Sequence, residues 1–123
     1  MRILFLLAGL LCLGTGVVHA VMGGIDILNP VMASTLSLEV RTASMAVWHG
    51  VTLIFILSVI AFFWAFAVGC ARARPVGILL GTFYLLFAGI FAALSFLWFE
   101  DPMVLPQWTL LAPIGLFSLI ASV

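Results

Sequence analysis

Residues 45–71 read MAVWHGVTLIFILSVIAFFWAFAVGCA and contain no charged side chain. About 20 mainly apolar residues are enough to cross roughly 30 Å of hydrocarbon as a helix. The stretch is longer than that, and its apolar residues run continuously. A strand of a membrane barrel is shorter and alternates in polarity, so a barrel is excluded. Residues 45–71 therefore predict a transmembrane helix.

The charged residues divide the rest of the chain into three more stretches of the same character. We predict four spans, over residues 3–22, 45–71, 75–99 and 106–123. Pro106 fits the first turn of the last helix, and Pro113 should bend it because proline lacks an amide hydrogen. The predicted fold is an all-α, integral membrane four-helix bundle, in which residues 1–123 form a single transmembrane domain.

The composition excludes the soluble classes of protein. Of the 123 residues, 67% are hydrophobic and 7% are charged, whereas a soluble domain carries about 25% charged residues. Four arginines and no lysine leave too little positive charge for a nucleic-acid partner. The partners we expect are the lipid bilayer and, in addition, a second copy of the chain or the other subunits of a membrane complex.

The arginines orient the predicted bundle. Arg2, Arg72 and Arg74 fall on one side of a four-span topology, and the positive-inside rule makes that side cytoplasmic. Both chain termini are then cytoplasmic. The opposite side holds Arg41 and all the carboxylates, which are Asp26, Glu39, Glu100 and Asp101. Tryptophans form a belt at the outer ends of three spans, at Trp48, Trp98 and Trp108. We predict a multi-pass protein of the bacterial inner membrane.

The first 20 residues also have the features of a secretory signal peptide. Arg2 supplies the positive start, and Val18-His19-Ala20 matches a small-residue cleavage site. The apolar run continues to Met22, however, which is long enough to span. We expect the first span to be retained; the alternative is cleavage, which would leave three spans.

The longest predicted connection is the outer loop that follows the first span. The Gly-Gly pair at 23–24 predicts a flexible exit, and the Asn29-Pro30 pair predicts a short helix capped by Asn29. Its apolar residues predict that this helix lies in the outer interface of the membrane. Ser37 is predicted to cap the second long helix, with Glu39 in its first turn.

Small residues recur at four-residue steps in three of the predicted spans. They are Gly16, Ala20 and Gly24 in the first span, Ala61, Ala65 and Gly69 in the second, and Gly77, Gly81, Gly89 and Ala93 in the third. Helices in lipid associate through close packing at such residues. We expect these to be internal contacts of the bundle; the alternative is a face for a second copy.

Polar residues inside a bilayer are costly, so they are the first candidates for a functional site. His19 and His49 lie near the outer ends of two consecutive antiparallel spans, which brings them to a similar depth facing the bundle interior. Thr15 and Thr52 lie about one turn deeper. The candidate site adds the polar and aromatic residues that the topology places on the same side, which are Arg41, Trp48, Asp26, Glu39 and Ser95.

Three interpretations of these residues stay open. Each histidine can bond a threonine or a backbone carbonyl and serve structure alone. The two imidazoles can instead bind haem iron or a transition metal between them, as in a redox component. They can also relay protons in a small transporter or channel built from several copies. We expect no catalytic residue, and the leading expectation is a non-enzymatic membrane component with an outer-leaflet polar pocket.

The pattern His19-xxx-Gly23-Gly24, followed by Arg41 and by Trp48-His49, resembles a group of small bacterial inner-membrane proteins of unknown function. Those proteins have four spans and a similar length, and the resemblance covers the whole chain. It implies no activity. It does imply that Arg41, Trp48 and both histidines belong together.

Overall fold

The computed structural model describes residues 1–123, of which 86% are helical and none lies in a strand. The all-α prediction is therefore confirmed. The elements, in chain order, are α1 (Ile3–Val18), a π-helical segment (His19–Leu28), α2 (Asn29–Ala33), α3 (Leu38–Val68), α4 (Cys70–Phe99) and α5 (Trp108–Ala121).

Three continuous helical stretches are long and apolar enough to cross a membrane. They are Ile3–Ala33, Leu38–Val68 and Cys70–Phe99. Helix α5 is also apolar but has only 14 residues, which is about 21 Å at 1.5 Å per residue. It begins at Trp108, so Pro106 lies in the turn before it rather than in its first turn, and Pro113 lies inside it.

The predicted outer loop with its separate interfacial helix is wrong. Helix α1 continues through the π segment and α2 to Ala33 without a break. Asn29 has helical φ and ψ (−60°, −45°) and its amide donates to the carbonyl of Gly24, so it caps nothing. Pro30, which has no amide hydrogen, lies where the pattern changes from π to α. A continuous helix keeps backbone groups bonded, which apolar surroundings favour.

The two ends of α3 follow from their capping residues. At its start the Ser37 hydroxyl accepts a hydrogen bond from the Val40 amide at 3.4 Å, and Glu39 lies in the first turn, which confirms both predictions. At its end Gly69 has a φ of 87°, a value that side-chain-bearing residues rarely adopt. That single residue separates α3 from α4, which consequently begins at Cys70, ahead of the predicted start at Pro75.

Helix α1 packs mainly between α3 and α5. It runs antiparallel to α3 and parallel to α4, and it also contacts α5. The core consists of Phe5, Ala8, Cys12, Phe55, Phe62, Ala65, Ala73, Tyr84, Ala88, Leu111, Ile114 and Ala121. Helix α1 supplies the first three of these, so the segment with signal-peptide features is built into the bundle.

Close contacts at glycine join α4 to α5 and to α1. A Cβ on Gly81 would lie 2.7 Å from Leu119 Cγ and 3.0 Å from the carbonyl oxygen of Gly115. A Cβ on Gly77 would lie 2.7 Å from the ring of Phe5. The expectation of internal contacts is confirmed at both positions, since neither has room for a side chain.

The expectation of internal contacts does not hold for every small residue. A Cβ on Gly16 would lie 3.1 Å from Phe55 Cβ, which is an internal contact of α1 with α3. Gly24 and Gly89 have no atom within 4 Å of the place where a Cβ would lie, so the prediction is wrong there. Both of these glycines lie on open faces of their helices.

We expect Gly81→Leu to lower the stability of the protein in detergent by about 1–3 kcal/mol, the usual cost of overpacking a close contact. The added side chain would overlap Leu119 and the α5 backbone. The measurement is the thermal unfolding midpoint. Gly89→Leu is the matched control and should leave the midpoint unchanged or higher. Equal midpoints for the two variants would contradict the α4–α5 contact.

Candidate functional site

His19 and Trp48 form a stacked pair that joins the π segment to α3. Their ring centroids are 4.1 Å apart and the ring planes differ by 17°. His19 Nε2 lies 3.3 Å from the carbonyl oxygen of Trp48. On the neighbouring turn a Cβ on Gly23 would lie 2.7 Å from Trp48 Cη2. The indole of Trp48 therefore packs against the imidazole of His19 and against the backbone of Gly23, where there is no room for a side chain.

The two threonines of the predicted site bond to backbone carbonyls of their own helices. Thr52 Oγ1 donates to the Trp48 carbonyl at 3.2 Å, the same oxygen that His19 Nε2 approaches. Thr15 Oγ1 donates to the Leu11 carbonyl at 2.8 Å. A carbonyl oxygen has two lone pairs and can accept from both Thr52 and a protonated Nε2. These polar groups are thus satisfied inside the protein.

His49 does not face the bundle interior, and the prediction is wrong for this residue. It is exposed, whereas its neighbour Trp48 is half-buried. Consecutive residues of an α-helix point about 100° apart, so burying the indole of Trp48 turns the imidazole of His49 to the surface. No group of three or more His, Cys, Asp or Glu side chains is gathered as for a metal ion.

Arg41 joins the start of α3 to the C-terminal end of α2. Its Nη1 donates to the carbonyl of Met32 at 3.0 Å. Met32 lies in the last turn of α2, where carbonyl groups have no partner within the helix. Asp26 and Glu39 are exposed. Arg41 thus closes the outer end of α2.

Ser95 lies in the last turns of α4, and its hydroxyl bonds to the turn between α4 and α5 rather than to the residues around the histidines. The side chain is fully buried; its hydroxyl donates to the Asp101 carbonyl at 2.6 Å and accepts from the Leu105 amide at 3.1 Å. The indole of Trp108 donates to the Pro102 carbonyl at 2.8 Å in the same turn. The turn between α4 and α5 is therefore held by its own polar contacts.

A buried polar contact that sequence reasoning missed lies deeper in the bundle. Cys12 Sγ and the hydroxyl of Tyr84 are 3.2 Å apart, and both side chains are fully buried. Cys12 Sγ also lies 3.7 Å from the Phe55 carbonyl oxygen, so three helices meet here. One sequence signal could have found the pair. Cys12 follows Arg2 by ten residues and Tyr84 follows Arg74 by ten, which puts them at one depth in parallel helices.

An apolar groove of about 360 Å³ runs between α1 and α3 below the His19–Trp48 pair. Gly16 and Phe55 form part of its floor, and Cys12 and Thr52 are the two lining residues with polar side chains. The concave surface next to the predicted polar pocket is therefore almost wholly apolar.

Comparison of the chain with protein-family models, with curated proteins and with solved structures gives no match. The site is therefore interpreted from its own contacts. Those contacts fix two helices against each other: a ring stack, a shared carbonyl acceptor and an arginine cap all lie at the end of the bundle where α3 begins.

We expect His19→Ala and His49→Ala to differ sharply in their effect on the stability of the protein. The first removes a ring stack and a hydrogen bond, which together contribute about 1–3 kcal/mol. The second removes an exposed side chain and should change stability by no more than about 0.5 kcal/mol. Thermal unfolding in detergent measures both. Equal losses would show that the two histidines act as one unit, as a shared ligand requires.

Proposed function

We propose that the chain is a multi-pass protein of the bacterial inner membrane that acts through contacts of its helices and without catalysis. The observation that carries this proposal is the apolar outer surface. Leu79, Leu86 and Leu97, all on α4, are 69%, 65% and 73% exposed. A surface of this character is stable in lipid and aggregates in water.

Four crossings are supported by the way α5 lies against α4. The two helices are antiparallel, and the buried hydroxyl of Ser118 donates to the carbonyl of Gly77 at 2.7 Å. Ser122 also contacts Gly77. The end of α5 therefore reaches the level of the second turn of α4, although the helix is short. Four crossings bring both ends of the chain to one side.

The arginines support a cytoplasmic location for that side. Arg2, Arg72 and Arg74 lie at the end of the bundle where α1 and α4 begin, and all three are exposed. The carboxylates lie at the other end. This separation of charge follows the positive-inside rule for short loops. We propose that lipid and the helices of other membrane subunits are the partners of the apolar surface.

We propose a structural role for the outer polar site. It fastens the π segment to α3, since His19 is bonded to the Trp48 carbonyl and each threonine is bonded to its own helix. Binding of haem or a metal ion between the histidines would require the exposed His49 to turn toward His19. The favoured function is therefore that of a small, rigid membrane component.

Cysteine labelling of intact cells tests the topology. In a Cys70→Ser background, Thr35→Cys should react with a membrane-impermeant maleimide, and Val123→Cys should react only after lysis. Thr35 and Val123 are both exposed, and the remaining Cys12 is fully buried. Labelling of Val123→Cys in intact cells would contradict a four-span chain with both ends inside.

The absorption spectrum and elemental content of the purified protein test the structural role of the histidines. We expect no Soret band and no transition metal at a fixed ratio to protein. A Soret band that disappears in His49→Ala would replace the proposal with a haem-binding function.

A further inference from the structure

Side-chain contacts across the bundle between the parallel helices α1 and α4 show that two arginines lie at the same level. Phe5 packs against Gly77, and Cys12 contacts Tyr84, a pair separated by 72 residues along the chain. The Phe5–Gly77 contact has the same separation. The same separation of 72 residues relates Arg2, about one turn before Phe5, to Arg74, so the two arginines lie at the same level. Two helices thus place a guanidinium at one depth, at the same end of the bundle.

Arg72 adds a third positive charge to this end, which we call the arginine end (Arg2, Arg72 and Arg74). The guanidinium of Arg2 lies over the ring of Phe66 at 5.6 Å from its centroid, near the last turn of α3. A cation held over an aromatic face keeps its outer side free for an anion. Arg72 and Arg74 are exposed in the first two turns of α4.

No acidic side chain lies near the arginine end. All four acidic side chains lie toward the opposite end of the long helices, about 35–45 Å away at 1.5 Å per residue. Three guanidinium groups therefore face outward without an acidic side chain to pair with, beside a surface suited to lipid.

We propose that the arginine end binds the phosphate headgroups of anionic phospholipids. The inference rests on the proposed membrane location, because only a protein in a bilayer meets headgroups at this level. Guanidinium groups bind phosphate through paired N–H donors, and basic residues near a bilayer surface attract anionic lipid. Exposed apolar side chains beside the arginines, such as Ile3 on α1 and Ile78 on α4, provide surface for acyl chains.

Native mass spectrometry of the detergent-purified full chain tests the lipid preference. The protein is mixed with equal amounts of phosphatidylglycerol and phosphatidylcholine that carry the same acyl chains. We expect the adducts with phosphatidylglycerol to exceed those with phosphatidylcholine by about fivefold or more, the factor that a single arginine near a lipid surface provides. A ratio near one would overturn the proposal.

Variants show whether the arginines are responsible. Arg2→Gln, Arg72→Gln and Arg74→Gln combined should bring the ratio close to one, whereas lysine at the same three positions should preserve most of it. Arg41→Gln removes a positive charge from the other end and should leave the ratio unchanged. A preference that survives the glutamine variant, or that is lost in Arg41→Gln, would contradict a site at the arginine end.

Two further measurements separate the sources of failure. An excess of inorganic phosphate should leave the bound phosphatidylglycerol in place; its complete displacement would indicate a site for free phosphate and overturn the lipid proposal. Membrane fractionation and the Thr35→Cys labelling pattern report on the membrane location independently. Correct labelling together with a lipid ratio near one would reject the lipid site alone, whereas a chain absent from the membrane fraction would reject the proposed function.

Discussion

The close approach of helices at glycine is the constraint on which the rest of this structure depends. Gly81 and Gly115 lie against each other's backbones where α4 meets α5, and Gly77 and Gly16 receive the rings of Phe5 and Phe55. Lipid tails are as apolar as leucine, so in the proposed membrane location burial of leucine adds little to helix association. Close packing against the backbone at the glycines holds the helices together instead. This explains why only 21 of the 123 residues are buried.

Polar contacts between helices then fix the relative positions of those helices. Ser118 donates to the Gly77 carbonyl near the arginine end, Cys12 contacts Tyr84 in the middle, and His19 contacts Trp48 near the outer end. Each contact lies at a different depth and joins a different pair of helices. A shift of one helix by one residue would break its contact and leave polar groups unpaired in apolar surroundings, at a cost of a few kcal/mol.

The two ends of the bundle differ in the kind of interaction they offer. At the end opposite the arginines, Arg41 caps α2 and His19 bonds the carbonyl of Trp48, while the acidic side chains are exposed. At the arginine end the charges face outward and have no acidic side chain nearby. The two ends therefore carry net charges of opposite sign, and the proposed lipid contact at the arginine end is the interaction with the surroundings that the positive charge favours.

The sequence by itself determined the helical class, three of the long apolar helices and the Ser37 cap, because these depend on composition, run length and local hydrogen bonding. It also indicated that His19, Trp48 and Arg41 belong to one end of the bundle, since depth follows from position along a span. The tertiary structure decided which faces meet. A π segment stands in place of the predicted loop at 23–28, and Gly23 in it packs against Trp48, a contact 25 residues away in sequence. The rotation of α3 about its own axis leaves the indole of Trp48 half-buried and His49 exposed. The position of a residue along a span gives its depth. The rotation and offset of each helix depend on side chains from neighbouring helices, and the sequence alone does not show which of those side chains meet.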